Sequence, residues 1–137
     1  MTTPGTTKVF GVLVPLVIAL SACGTSAAST EVELSSAAAE GRSLANAKGC
    51  ASCHGTSGQG GVGPAFQGLF ESSVELNDGT TVTADREYLY ESIKDPPARR
   101  VAGYRLPMPT IRLSDEEIDQ IITYIEALSA PPEGETP

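Results

Sequence analysis

The chain has 137 residues, enough for one domain with one modest core, and its 40% hydrophobic and 19% charged content is that of a globular protein. A net charge of −8, with no basic run, disfavours nucleic acid as a partner. With one histidine, three cysteines and two methionines in the whole chain, metal or redox chemistry can draw on very few residues.

Residues 1–23, MTTPGTTKVFGVLVPLVIALSAC, set Lys8 ahead of an apolar run from Val9 to Leu20, followed by small residues. This is the layout of a secretory signal, and it is short for a bilayer span. Its ending, Leu20-Ser21-Ala22-Cys23 before Gly24, resembles a bacterial lipobox, which predicts a signal peptide over 1–22 and a lipid on Cys23. An ordinary signal with a chance cysteine ranks second. A buried apolar helix, interrupted by Pro15, ranks third. Cleavage removes Met1 and Lys8 and leaves a mature chain one unit more acidic. Cys50 and Cys53 are then its only unmodified thiols, Met108 its only thioether and His54 its only imidazole.

Residues 23–35 are small and polar and read as a flexible tether, with a reach of about 20 Å. The globular domain is expected over 36–130, and the proline-rich acidic stretch 131–137 reads as a disordered tail. Within the domain, AAAEGRSLANAKG predicts a first helix ended by Gly49. A glycine-rich loop from Gly55 to Gly68 should hold no regular element. Val74, Leu76 and Val82 around Asn77-Asp78-Gly79 predict a small β-hairpin. Asp85 can cap a helix running to about Lys94, with Tyr88, Leu89, Ser92 and Ile93 on one face and Pro96 and Pro97 to stop it. Ser114 and Glu117 form a capping box for a last helix, whose Ile118, Ile121, Ile122, Ile125 and Leu128 make one apolar stripe that must be buried. The fold class is therefore mostly α, with no internal repeat.

The chemistry sits in KGCASCHGTSGQGGVGP, residues 48–64. Cys-x-x-Cys alone serves thioredoxin-like sites, zinc sites and structural disulfides as well as haem. A thioredoxin-like site should stand where a strand meets a helix, and here glycine-rich coil follows. A structural zinc site needs four ligands, and the mature chain offers Cys50, Cys53, His54 and no further Cys or His. An exported chain with two thiols would ordinarily form a disulfide. His54 directly after the second cysteine favours another outcome, the attachment signature of a c-type haem.

Iron bound by His54 needs a second axial ligand or an opening. Met108 is the one thioether left, and Pro107 and Pro109 stiffen the chain on either side of it. A lone methionine is more often core filler, but such residues sit in apolar helical patterns, and Met108 does not. A thioether opposite an imidazole favours ferrous iron and raises the potential.

From about Ala39 to Leu128 the chain resembles a class I cytochrome c, through Gly41, GCASCHG, GVGPAFQGL, LPMP and the closing helix with Tyr124. The run VELNDGTTVTADREYLYESIKDPPARRVAGYRLPMP is similar to the cytochrome c domain fused to subunit II of some bacterial haem-copper oxidases, and to haem lipoproteins of respiratory complexes. The resemblance implies terminal helices that cross around a covalently bound haem c. It implies that Pro64 offers its carbonyl to His54, and that Gly41 lets the first and last helices approach near Tyr124. This chain lacks the tryptophan that often neighbours a haem carboxylate in the family, which points to Tyr104, Arg99 or Arg100 in that role. It also has Ala45 where an aromatic usually follows the first-helix leucine.

With Cys50 and Cys53 linked to the porphyrin and His54 and Met108 on the iron, no position remains for a substrate, so a one-electron carrier is expected and not an enzyme. The expected setting is the periplasmic face of a bacterial membrane, in a respiratory or photosynthetic chain. There the lipid on Cys23 holds the carrier between a quinol-oxidising complex and a terminal oxidase. The alternative is a tightly bound haem subunit of a larger assembly such as alternative complex III or an oxidase. A peroxidase or ligand sensor, in which Met108 leaves the iron, is a third class. Acidic charge argues against long-range steering toward an acidic oxidase, and a tether makes steering unnecessary by supplying effective concentration. Arg99, Arg100 and Arg105 could form a local docking patch, or be an ordinary solvated cluster.

Overall fold

The computed structural model describes residues 1–2 and 34–129; the signal-like segment, Cys23, most of the tether and the acidic tail lie outside the described residues. Four helices and one two-stranded sheet follow in order: α1 (Ser36–Ala47), α2 (Ala51–His54), β1 (Ser73–Glu75), β2 (Thr81–Thr83), α3 (Arg86–Lys94) and α4 (Asp115–Ala127). The architecture is mostly helical, as the pattern of caps and apolar periods predicted. Among the described residues no helix is long and apolar enough to cross a membrane.

α1 starts where the Ser35 hydroxyl accepts the Ala38 N–H, and it ends at Ala47, just before Gly49 turns the chain at φ +84°. α4 starts with the full capping box: Ser114 Oγ accepts the Glu117 N–H, and the Glu117 carboxylate accepts the Ser114 N–H at 2.9 Å. The two helices cross at Gly41, where a Cβ would sit 2.1 Å from the Gln120 carbonyl oxygen and 3.0 Å from Tyr124 Cβ. No residue with a side chain fits that approach. Ala45, one turn along, is 2% exposed, so a small residue there is compatible with close contact.

The isoleucine stripe of α4 has the destination it required. Ile118, Ile121, Ile122 and Ile125 are each at most 2% exposed and share one core with Ala45, Phe66, Val74, Leu76 and Leu89. Each such side chain contributes roughly 1.5–3 kcal/mol through burial, which is the main force holding α4 in place. Lys48 pairs with Glu117 at 2.6 Å and Arg86 with Glu126 at 2.7 Å. These pairs lie at the surface, where water and salt screen them and they add little to stability.

α3 is capped by Asp85, whose carboxylate accepts the Tyr88 N–H at 2.8 Å, and it stops at Lys94 ahead of Pro96 and Pro97. The hairpin pairs Ser73 with Thr83, Val74 with Val82 and Glu75 with Thr81. Its far edge grips another part of the chain. The Asn77 N–H donates to the Arg100 carbonyl at 2.8 Å, the Ala102 N–H donates to the Glu75 carbonyl at 2.9 Å, and Leu76 bridges to Val101. The sheet therefore anchors the segment that leads to Met108.

Candidate haem site

α2 is one turn of helix with Cys50 as its N-cap, and it carries Cys53 and His54. The His54 N–H donates to the Cys50 carbonyl at 3.0 Å, which fixes both ends of the motif in one turn. The glycine-rich loop then folds back on that turn. The Gly60 N–H donates to the His54 carbonyl at 2.8 Å and the Gly63 N–H to the Cys53 carbonyl at 3.0 Å. This return brings the Pro64 carbonyl oxygen 2.7 Å from His54 Nδ1.

A carbonyl can only accept, so Nδ1 carries the proton and Nε2 keeps its lone pair for a metal. Burial pulls the His54 pKa below its ordinary 6.5, against the smaller upward push of the Pro64 bond, so the imidazole is neutral at pH 7. Phe66 stacks on the ring, with centroids 4.4 Å apart and planes 18° from parallel. Gly63 presses close to the ring, where a Cβ would lie 3.0–3.3 Å from Cε1, Nδ1 and Nε2. The imidazole is held on several sides.

Cys50 and Cys53 are free and half-buried. Burial pushes the Cys50 thiol up from its ordinary 9.0, so it stays protonated at neutral pH. Among the described residues, no group of three or more His, Cys, Asp or Glu could hold a metal ion.

A cavity of about 510 Å³ opens beside this turn. Cys50, Cys53, His54, Pro64 and Met108 all line it, so the structure brings together the five residues singled out from the sequence. Cys23 lies outside the described residues. Tyr104, Arg99 and Arg100 line the same cavity, although Arg99 is already ion-paired with Glu91. Apolar walls come from Leu89 and Ile93 of α3 and from Ile121 and Ile125 of α4.

Sequence reasoning missed two features. Phe66 was visible only as an aromatic in a glycine-rich loop, and its stacking on His54 depends on how the loop returns. Tyr88 Oη and Ser92 Oγ are fully buried on the cavity wall and have no hydrogen-bond partner. The available signal was a serine within the otherwise apolar face of α3. An unpaired buried hydroxyl costs about 1–3 kcal/mol, which a bound group with acceptors on its rim would recover.

This donor set fits a c-type haem. Two neighbouring thiols suit covalent attachment, a neutral imidazole with free Nε2 and a thioether suit ligation of an iron, and the apolar walls suit a porphyrin face. Compared with protein families, residues 38–129 match the family Cytochrome c. The chain belongs to the cytochrome c family. No curated protein matches it. As a class I mono-haem cytochrome c, this protein carries electrons on a haem c and is not an enzyme. The match spans the described domain almost end to end, including every residue that lines the cavity.

Proposed function

We propose that this cytochrome c is a lipid-anchored, one-electron carrier of a bacterial respiratory or photosynthetic chain, exposed on the periplasmic side and delivering electrons toward a terminal oxidase. Cys50 and Cys53 would hold one haem through thioether bonds, and His54 and Met108 would ligate its iron. The observation that carries this assignment is the convergence of those four side chains on one cavity. When bound, the haem supplies the gain and loss of one electron at iron. Pro64 orients His54 by accepting a hydrogen bond from Nδ1–H, Phe66 and Gly63 limit the tilt of the ring, and Pro107 and Pro109 stiffen the segment that presents Met108.

The anchor rests on the lipobox-like sequence ending at Cys23. The charge pattern supports a tethered carrier. Lys48, Arg86, Lys94 and Arg99 are engaged in ion pairs, while Arg100, Arg105 and Arg112, around the Met108 segment, have none among the described residues. In a chain of net charge −8, that leaves short-range docking at the cavity rim in place of long-range attraction.

The absorption spectrum of Met108→Ala tests the ligand set. Loss of the weak methionine-to-iron charge-transfer band, with a high-spin form appearing, is the expected result; an unchanged spectrum rejects Met108. Purification in mild detergent separates a shuttle, which leaves its partners, from a permanent subunit of an oxidase or of alternative complex III, which stays with them.

A further inference from the structure

We propose that the hydroxyls of Tyr88 and Ser92 are hydrogen-bond donors to a carboxylate on the rim of the bound haem. The inference rests on the haem assignment above and adds residues that the binding motif does not contain.

Tyr88 is 4% exposed, and both Tyr88 Oη and Ser92 Oγ are buried without a partner. They stand one turn apart on α3, at i and i+4, so they share a face, and both line the cavity. The other helical hydroxyls of this chain make the lack of a partner informative. A serine or threonine in a helix commonly returns its hydroxyl to the carbonyl four residues back. Ser43 does so to Ala39 at 2.9 Å and Thr123 to Asp119 at 2.9 Å, and Ser129, just past the end of α4, does so to Ile125 at 3.3 Å. Ser92 makes no such bond. On the outer face of α3, Tyr90 donates to Asp115 at 2.7 Å. Tyr88 has no equivalent acceptor.

Buried donors in folded proteins are almost always satisfied; of the three partnerless buried hydroxyls among the described residues, Tyr124 Oη lies away from the cavity, whereas Tyr88 and Ser92 both line it and point to an acceptor on its occupant. A porphyrin is apolar around its rim except for its two carboxylates, which are far stronger acceptors than the one lone pair that a ligating Met108 sulfur would keep. The local charge suits an anion. The Arg99 guanidinium lies 5.3 Å above the Tyr88 ring, and Arg99 and Arg100 both line the cavity. Because Arg99 is shared with Glu91, two neutral hydroxyls add donors that the arginine alone does not supply.

The test uses the haem-loaded protein with Tyr88→Phe, Ser92→Ala and the double variant, and Tyr90→Phe as the control on the same helix. Resonance Raman spectra read the bending mode of the haem propionates, and spectroelectrochemistry reads the midpoint potential. The propionate mode should move to lower frequency in each single variant and further in the double. The potential should fall, because a carboxylate without its donors presents more negative charge to the iron and favours the ferric state. Tyr90→Phe should leave both unchanged. A propionate mode that does not move in the double variant overturns the proposal. So does a shift confined to the methionine-to-iron band, which would make the Met108 sulfur the acceptor. If Tyr88→Phe does not accumulate, Ser92→Ala, which removes a single oxygen, decides alone. A wild-type protein without covalently bound haem would refute the haem assignment itself, before any variant is compared.

Discussion

Gly41→Ala sets helix propensity directly against packing. The added Cβ would lie 2.1 Å from the Gln120 carbonyl oxygen, 3.0 Å from the carbonyl carbon and 3.0 Å from Tyr124 Cβ. Two of those three atoms belong to the α4 main chain, so no rotamer change relieves the contact. Restoring an ordinary separation of about 3.4 Å requires the helices to part by roughly 1 Å, a gap that forfeits a quarter to a half of the dispersion energy across it. Overpacking of this kind costs about 1–3 kcal/mol, and a rigid contact this short belongs at the upper end. Alanine recovers about 1 kcal/mol of helix propensity. The net loss is about 2 kcal/mol, which lowers Tm by roughly 8–16 °C in a domain of this size. Thermal unfolding of the haem-loaded protein, followed by far-UV circular dichroism, measures it. An equal or higher Tm would refute the argument, because propensity alone predicts that outcome.

Two further perturbations probe the interior and the surface. Phe66→Leu keeps most of the volume but removes the stack on His54 and the edge contact with Tyr124 at 6.3 Å. At about 0.5–1.5 kcal/mol for each aromatic pair, guanidinium unfolding should show a lower midpoint with an unchanged m value, and an unmoved midpoint would dismiss the stacking. Glu117 is held below its ordinary 4.5, first by Lys48 and then by the Ser114 N–H, and Asp115 below its ordinary 3.8, first by Lys94 and then by Tyr90. A depressed carboxylate stabilises the fold above its unfolded pKa, and that contribution is lost as pH falls through the folded value. Tm should therefore drop as pH is lowered from about 5 toward 3. Glu117→Gln, which can still accept the Ser114 N–H, should show a shallower drop, and identical acid limbs would exclude a role for the Lys48 pair.

The features legible in the sequence are those whose causes are local. Asp85 and Ser114 announce their helices because a cap is satisfied within three residues, and the α4 stripe announces its buried face because a helix repeats every 3.6 residues. Cys50, Cys53 and His54 are legible because the proposed attachment and ligation would need them in one turn. What joins distant segments was not legible. Nothing around Asn77 says that it will bond to Arg100, yet that bond and its neighbours decide where the Met108 segment begins. The α2 turn is too short for periodicity to reveal. Ser92 lies between these cases: its place on an apolar face was visible, but its lack of an acceptor depends on the cavity.

The glycine-rich loop explains how a chain with one histidine can hold that ring firmly. Its contacts to α2 come from the backbone. The Gly60 and Gly63 N–H groups close on the His54 and Cys53 carbonyls, and the Pro64 carbonyl closes on Nδ1. Main-chain groups carry no rotamer freedom, so the orientation of the imidazole depends little on side-chain rearrangement. Gly63 belongs to the same logic, since any larger residue would push on the ring at 3.0 Å and displace the carbonyl that follows it. An electron carrier benefits from a ligand set that stays the same in both oxidation states, and for the proposed ligand His54 that constancy would come largely from peptide groups.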